Sequence, residues 1–298
     1  MAAQTPRAQR SVAPVRGQVA GLVAGAAVSA VTYRVLQRLV PPPAVRATDP
    51  PSDEDPQGWR HSFWRKNFSG DHVSLFAGPA SVAGLAAGSV ASGRPGVAAL
   101  AVAVGGVGLL DDLAGSADSR GLKGHLQALA RGKVTTGGIK VIGLTAAAAA
   151  LAVSRRGTST TATVPDTVID TALVAGTANL VNLFDLRPGR ATKAVVLMTG
   201  LMSPGALPTT AGSVLGALTG TAPADLGGRS MLGDCGANAA GAVLAAGFTA
   251  AAPRPARLVA LAGVTVLTLV SEKVSFSRVI DRTPWLRRLD RWGRRPGG

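Results

Sequence analysis

The sequence has few cysteines, few aromatic residues and few acidic residues. Its 298 residues include one cysteine, 16 aspartates and glutamates against 31 lysines and arginines, and only 4% aromatic residues. The single cysteine, Cys235, excludes an internal disulfide framework and a zinc site built from several cysteines. So few aromatic side chains leave little to anchor a water-soluble core. Disorder is also excluded, because 47% of the residues are hydrophobic.

The chain does contain long uncharged runs that are rich in alanine and glycine. A helix needs about 20 residues to span the hydrocarbon core of a bilayer, and small residues let membrane helices approach closely. A soluble helical bundle is disfavoured because polar helix faces are scarce. The longest run is divided by Ser203-Pro204-Gly205 and Pro208, which predicts two helices there. The pattern as a whole predicts an all-α polytopic membrane protein with about nine transmembrane helices. The runs are 17–33, 73–93, 95–110, 141–154, 171–184, 194–224, 235–253 and 258–271.

The basic residues are concentrated in alternate connections between these runs. Together with the C-terminal segment 271–298, these connections hold 22 of the 31 lysines and arginines. Because basic connections stay in the cytoplasm, we expect an outside N-terminus, a cytoplasmic C-terminus and location in the plasma membrane. A nucleic-acid partner is excluded, since the basic residues follow this alternation and form no single dense patch. The expected cytoplasmic loops are 34–73, 111–137, 185–193 and 223–233.

We therefore expect three parts in the chain: an N-terminal tail at 1–16, a transmembrane domain at 17–274 and a basic tail at 275–298. The basic tail contains Trp285 and Trp292 among its arginines. It forms either an amphipathic helix on anionic lipid or a disordered segment.

Polar motifs lie at the expected cytoplasmic ends of three runs. The pair Asp111-Asp112 follows the third run, and adjacent carboxylates there are costly unless they are solvated, paired or bound to a cation. Asn179, Asn182 and Asp185 are spaced three apart and so share one helical face. Asp234 stands in a Gly-Asp-x-Gly turn that opens the eighth helix. Taken singly, these motifs are also typical of a polar helix end, of hydrogen bonding between helices and of an aspartate N-cap.

Together the motifs favour a site for Mg²⁺, which prefers carboxylate oxygens and usually also binds substrate phosphates. A fourth segment, 123–140, adds glycines, hydroxyls and lysines at the beginning of a helix. Free amides and the helix dipole favour anions there. The segment therefore forms either a pyrophosphate-binding site or a solvated basic loop.

The order Leu-Asp-Asp, Thr-Thr-Gly-x-x-Lys, Asn-x-x-Asn-x-x-Asp and Met-x-Gly-Asp-x-Gly resembles that of the polyprenyl-phosphate N-acetylhexosamine-1-phosphate transferases. This family includes phospho-N-acetylmuramoyl-pentapeptide transferase. The resemblance covers roughly residues 60–245 and includes, more loosely, the segment 65–70. It implies a Mg²⁺-dependent transfer of a sugar phosphate from a UDP-sugar to polyprenyl phosphate, with release of UMP, by a protein that forms homodimers.

Matched position by position, the resemblance makes 17–274 a transferase-like domain and assigns roles to its polar residues. Asp111, Asp112 and Asp185 are the candidate catalytic residues, and Asp234 and Asp112 are the candidate metal ligands. The candidate substrate-binding residues are Asn67, Lys123, Lys133, Thr135, Thr136, Lys140, Asn179 and Asn182.

The sequence departs from the family pattern in three places. Pro188 stands where the fifth-helix motif has a second aspartate, the final cytoplasmic loop lacks a histidine cluster, and a tenth span is missing. These departures leave two alternatives to an active transferase. One is a catalytically degenerate paralogue that binds lipid or nucleotide as a scaffold or regulator, and the other is a membrane transporter.

Overall fold

A computed structural model describes residues 7–40, 62–66, 72–114, 136–157, 163–203 and 210–293. This part of the chain is almost entirely helical. Two short strands, β1 (Trp64–Lys66) and β2 (His72–Ser74), pair antiparallel. The helices are α1 (Arg7–Leu39), α2 (Ala77–Ala91), α3 (Pro95–Ala114), α4 (Thr136–Gly157), α5 (Val164–Phe184), α6 (Arg190–Leu201), α7 (Ala211–Asp225), α8 (Gly233–Ala251), α9 (Arg254–Ser271), α10 (Phe276–Arg282) and α11 (Pro284–Arg291).

Within the described ranges, five helices are long and apolar enough to cross a membrane, namely α1, α3, α4, α5 and α9. Each predicted apolar run contains a helix, and the run 194–224 is divided into α6 and α7 as expected. Three of the other helices, α2, α6 and α7, have only 15, 12 and 15 residues. The chain is thus an all-α membrane protein, while the number of nine spans and their orientation stay predictions.

The ends of the molecule differ from the expected boundaries. Helix α1 begins at Arg7, inside the predicted N-terminal tail 1–16, because arginine is a good helix former and does not end a helix by its charge. The predicted basic tail contains α10 and α11. Residues 276–282 and 284–291 of that tail are helical, while their contact with anionic lipid stays a prediction.

Helix α8 forms the centre of the protein. Its side chains from Cys235 to Thr249 are all buried, and it packs against α2, α3 and α5. Most of them are alanine or glycine, so neighbouring backbones come close: a Cβ at Gly241 would lie only 2.7 Å from the carbonyl oxygen of Thr177. Close packing of small residues is typical of helices that associate within a membrane.

Helix α5 carries charged side chains at its two ends. Near its N-terminus, Asp166 and Asp170 accept hydrogen bonds from Arg257 of α9 at 3.0 and 2.7 Å. Its C-terminus leads into Asp185. Along the helix, Asp166 and Asp170 are about 28 and about 22 Å from Asp185, so the two groups of charges are separated by most of a hydrocarbon thickness.

The crossing of α3 and α8 gives a test of this packing. A Cβ at Gly108 would overlap the carbonyl oxygen of Asp234, whereas a Cβ at Gly106, in the same helix, would meet open space. We expect Gly108→Ala to lower the melting temperature in detergent, because the two helices must separate. Gly106→Ala should leave the melting temperature unchanged or slightly raised, since alanine favours a helix over glycine by about 0.5–1 kcal/mol. Equal effects of the two substitutions would contradict the crossing.

Candidate functional site

The end of α3, the beginning of α4, the end of α5 and the beginning of α8 meet at one end of the protein. This meeting brings together six residues that the sequence analysis selected: Asp111, Asp112, Lys140, Asn182, Asp185 and Asp234. They come from four separate motifs, so the shared location follows from the tertiary fold.

The carboxylate of Asp112 caps the beginning of α8. Its Oδ1 accepts a hydrogen bond from the amide of Asp234 at 3.0 Å, and its Oδ2 accepts one from the amide of Cys235 at 2.9 Å. The first amides of a helix have no partner within the helix and favour negative charge. The preceding Gly233 has a φ of +60°, which glycine adopts without strain. Asp112 therefore fixes where Asp234 lies.

Lys140 lies between two carboxylates. Its Nζ is 2.7 Å from Oδ2 of Asp234 and 3.5 Å from Oδ2 of Asp111, and the lysine is buried. The Asp234 carboxylate also interacts with the side chains of Asp111 and Asn182. Two carboxylates thus converge on one cationic point, which offsets the cost of removing the lysine charge from water.

The family resemblance implies a Mg²⁺ ion, which the carboxylates of this site would have to hold. Within the described ranges, no group of three or more histidine, cysteine, aspartate or glutamate side chains is arranged to hold a metal ion. Magnesium, however, is often bound by one or two carboxylates together with substrate phosphates and waters. The convergence of Asp111 and Asp234 fits that pattern. Asp112 uses both oxygens on the α8 amides, so its role as a ligand stays a prediction.

Asp185 is buried, and neither of its carboxylate oxygens has a hydrogen-bond partner of ordinary geometry in the described part of the chain. The amide of Gly233 is near enough to lower the pKa of Asp185. Burial and then the charge of Asp225 act more strongly, so the pKa of Asp185 is raised well above its ordinary value. A carboxyl group with so few partners is unusual in a protein interior and is typical of functional sites.

Asp225, at the end of α7, is a neighbour of Asp185 that the sequence analysis did not select. Its Oδ1 accepts a hydrogen bond from the amide of Gly189 at 2.8 Å, and its Oδ2 accepts one from Oγ1 of Thr192 at 2.5 Å. It therefore holds the turn that follows Asp185. The sequence signal that could have identified Asp225 is its position directly after an apolar run, in the expected cytoplasmic loop 223–233.

The two-stranded sheet is a second feature that the sequence analysis missed. It lies beside the site because Arg65 donates a hydrogen bond to the carbonyl oxygen of Asp112. The amide of Met231 donates to the carbonyl oxygen of Ser74 at 2.9 Å, and the Ser230 hydroxyl donates to the same oxygen at 2.9 Å. The sheet thereby joins the segment before α2 to the segment before α8.

Of the remaining predicted substrate-binding residues, Asn179 is the one whose side chain the structure describes. Asn179 lines an adjoining groove of about 650 Å³ between α4 and α5, which Lys140 also borders. Asn67, Lys123, Lys133 and Thr135 lie outside the described residues. Thr136 is the first residue of α4, but its side chain lies outside the described part of the structure.

Comparison of the chain with protein-family models, with curated proteins and with solved structures finds no match. The family resemblance therefore depends on the order of the four motifs in the sequence.

The burial of Asp185 predicts a dependence of stability on pH. Its pKa is raised in the folded protein, whereas an unfolded aspartate titrates near 3.9. Ionisation of Asp185 therefore lowers the free energy of unfolding as pH rises above about 4. We expect Asp185→Asn to raise the melting temperature at pH 8 and to change it less at pH 4, measured in detergent with EDTA.

A matched substitution at Asp225 should act in the opposite direction. Asp225→Ala leaves the buried amide of Gly189 and the hydroxyl of Thr192 without their acceptor, which typically costs about 1–3 kcal/mol for each buried group. The melting temperature of this variant should fall. A destabilised Asp185→Asn variant at pH 8 would contradict the unfavourable environment assigned to Asp185.

Proposed function

We propose that the chain transfers a sugar phosphate from a UDP-sugar to a polyprenyl phosphate and releases UMP. The observation that carries this proposal is the convergence of Asp111 and Lys140, from two helices that are long and apolar enough to span a membrane, with Asp234 of α8. These residues belong to the motifs on which the family resemblance is based. The donor sugar is of the N-acetylhexosamine or N-acetylmuramoyl-pentapeptide type, and the reaction serves cell-envelope glycan synthesis, including that of peptidoglycan.

The expected topology places this site at the cytoplasmic face of the plasma membrane, where soluble UDP-sugars are available. The loops that carry the site contain most of the basic residues outside the C-terminal tail. The nine spans, the outside N-terminus and the homodimer belong to the same proposal.

The groove between α4 and α5 supports a lipid substrate. It has a volume of about 650 Å³ and borders two helices that are long and apolar enough to span the membrane. Its lining is mostly apolar, with Leu144 and Val168 among the lining residues, and it reaches Lys140. An isoprenoid chain in this groove would place its phosphate beside the lysine and the two carboxylates.

The reaction is an attack by an oxygen of the lipid phosphate on the β-phosphorus of the UDP-sugar. The bond from that phosphorus to the UMP oxygen breaks, and UMP leaves. Bound between Asp111 and Asp234, Mg²⁺ would neutralise charge on the pyrophosphate. Asp112 keeps the beginning of α8 in place, and Lys140 exchanges a carboxylate partner for a phosphate oxygen.

No strong base is needed for this reaction, because a lipid phosphate is already largely ionised at neutral pH. Asp111, as the candidate base, only has to keep the lipid phosphate fully ionised. Positioning and charge neutralisation then account for most of the catalysis, as is usual for phosphoryl transfer.

A catalytically degenerate scaffold is the second candidate function. Two observations favour it: Pro188 stands at the position of the second aspartate, and Lys140 already pairs with Asp234 where a metal would bind. Such a protein would still bind lipid or nucleotide. A transporter is less well supported, because the acidic side chains of α5 lie toward the two ends of that helix. The ion-paired Asp166 and Asp170 lie near its beginning, and Asp185 follows its last residue.

The transferase proposal is tested by UMP release. Purified protein is incubated with undecaprenyl phosphate, Mg²⁺ and a panel of UDP-sugars, and we expect UMP from at least one donor only when Mg²⁺ is present. Asp234→Asn should reduce the rate on the order of 10²-fold or more, since it removes charge stabilisation at the reacting phosphates.

Asp170→Asn is the matched control, because Asp170 lies at the opposite end of α5 and should leave the rate nearly unchanged. Absence of UMP with every donor, while a related transferase is active in the same lipid, would favour the scaffold. Full activity of Asp234→Asn would contradict the metal-ligand role.

A further inference from the structure

The C-terminal helical pair, defined as α10 and α11 (276–291), lies close to a membrane surface. It follows α9, which is long and apolar enough to span a membrane and ends at Ser271. Only residues 272–275 separate the end of α9 from the beginning of α10. A connection of four residues keeps the pair near the point where α9 leaves the bilayer.

Both acidic residues of the pair form ion pairs with arginines of the turn 185–193. Asp281 accepts two hydrogen bonds from the guanidinium of Arg187, at 3.2 and 3.1 Å. Asp290 accepts two from Arg190, at 3.0 and 3.1 Å, and both of these side chains are buried. Bidentate pairs of this kind fix geometry as well as charge. The pair therefore turns its negative charges toward the turn 185–193.

The arginines of the pair face away from the protein. All five are exposed, and none has an ion-pair partner in the ranges that the structure describes; they are Arg278, Arg282, Arg287, Arg288 and Arg291. Trp285 and Trp292 are 66% and 71% exposed beside them. Exposed arginine together with tryptophan is typical of protein surfaces that lie at the headgroup level of an anionic membrane.

An apolar cavity lies beneath the pair. It has a volume of about 620 Å³ and is bordered by α6 and α9 on one side and by Ile280, Leu286 and Leu289 of the pair on the other. The charged residues of its lining are Arg190, Lys193 and Asp290, whereas the five exposed arginines are not part of the lining. An apolar cavity under a surface of exposed arginines favours an anionic lipid over an acidic protein or a nucleic acid.

We propose that the C-terminal helical pair binds anionic phospholipids of the bilayer that α9 spans, and that this contact holds the turn 185–193 in place. The turn and the pair are joined by more than the two ion pairs. Phe184 stacks on Phe276 with ring centroids 4.8 Å apart, and Nζ of Lys193 donates to the carbonyl oxygen of Asp290 at 2.5 Å. Neither the lipid binding nor its effect on the turn depends on the proposed transferase function.

The lipid contact is tested with the full-length protein in vesicles of phosphatidylcholine, with and without phosphatidylglycerol. Bromine on the acyl chains quenches nearby tryptophan fluorescence, and a Trp285→Phe, Trp292→Phe variant supplies the background from the other two tryptophans. We expect stronger quenching when the brominated lipid is phosphatidylglycerol. Arg287→Gln, Arg288→Gln and Arg291→Gln together should abolish that preference.

The matched control is Arg156→Gln with Arg254→Gln, which removes positive charge at the opposite end of the molecule and should keep the preference. Equal quenching by the two lipids in the wild-type protein would overturn the lipid site. So would an effect of the control as large as that of the three arginines in α11.

The consequence for the turn is measured by amide hydrogen exchange of residues 185–193 in the same vesicles. Phosphatidylglycerol should slow exchange in the wild-type protein, and Asp281→Asn should reduce this slowing while the quenching preference persists. Unchanged exchange despite preferential quenching would overturn the coupling. Neither measurement involves UMP release, so failure here is distinct from failure of the proposed function.

Discussion

The cap that the Asp112 carboxylate forms on α8 is the contact on which the rest of the site depends. Helix α8 is the most deeply buried helix among those that the structure describes, and its first turn carries Asp234. Glycine at positions 108 and 233 permits the approach, because a Cβ at either position would collide with the other element. The same cap that satisfies two amides of α8 also directs Asp234 toward Lys140.

Among the described residues, the site has more carboxyl groups than cationic side chains. Asp111, Asp112, Asp185 and Asp234 lie near one described lysine, Lys140, and Arg65 donates to the carbonyl oxygen of Asp112. Two backbone amides of α8 offset the charge of Asp112, and Lys140 offsets part of the charge of Asp111 and Asp234. Asp185 has almost no such compensation. Such an excess favours an additional cation, which is the electrostatic basis for proposing Mg²⁺ between Asp111 and Asp234.

The helices could be predicted from the sequence because apolar runs and their charged ends are local features. The span count could not, since α2, α6 and α7 are short and their position in a bilayer depends on their neighbours. Asn182 and Asp185 lie at the same end of α5 because they are three residues apart in the sequence. The ion pair of Lys140 with Asp234 depends on how α4 and α8 rotate against each other, and Asp225 reaches the site only through tertiary packing. Sequence spacing carries no information on either.

The turn 185–193 links the site to the C-terminal helical pair. On its inner side, Asp225 binds the amide of Gly189 and the hydroxyl of Thr192. On its outer side, Arg187 and Arg190 bind the two aspartates of the C-terminal helical pair. Pro188 lies between these contacts and fixes its own φ. A turn held from both sides does not need a second aspartate at position 188 to keep its shape, because Asp225 already supplies a carboxylate beside Asp185. Pro188 in place of an aspartate therefore removes a carboxylate from the turn itself, but the carboxylate of Asp225 still supplies negative charge beside Asp185.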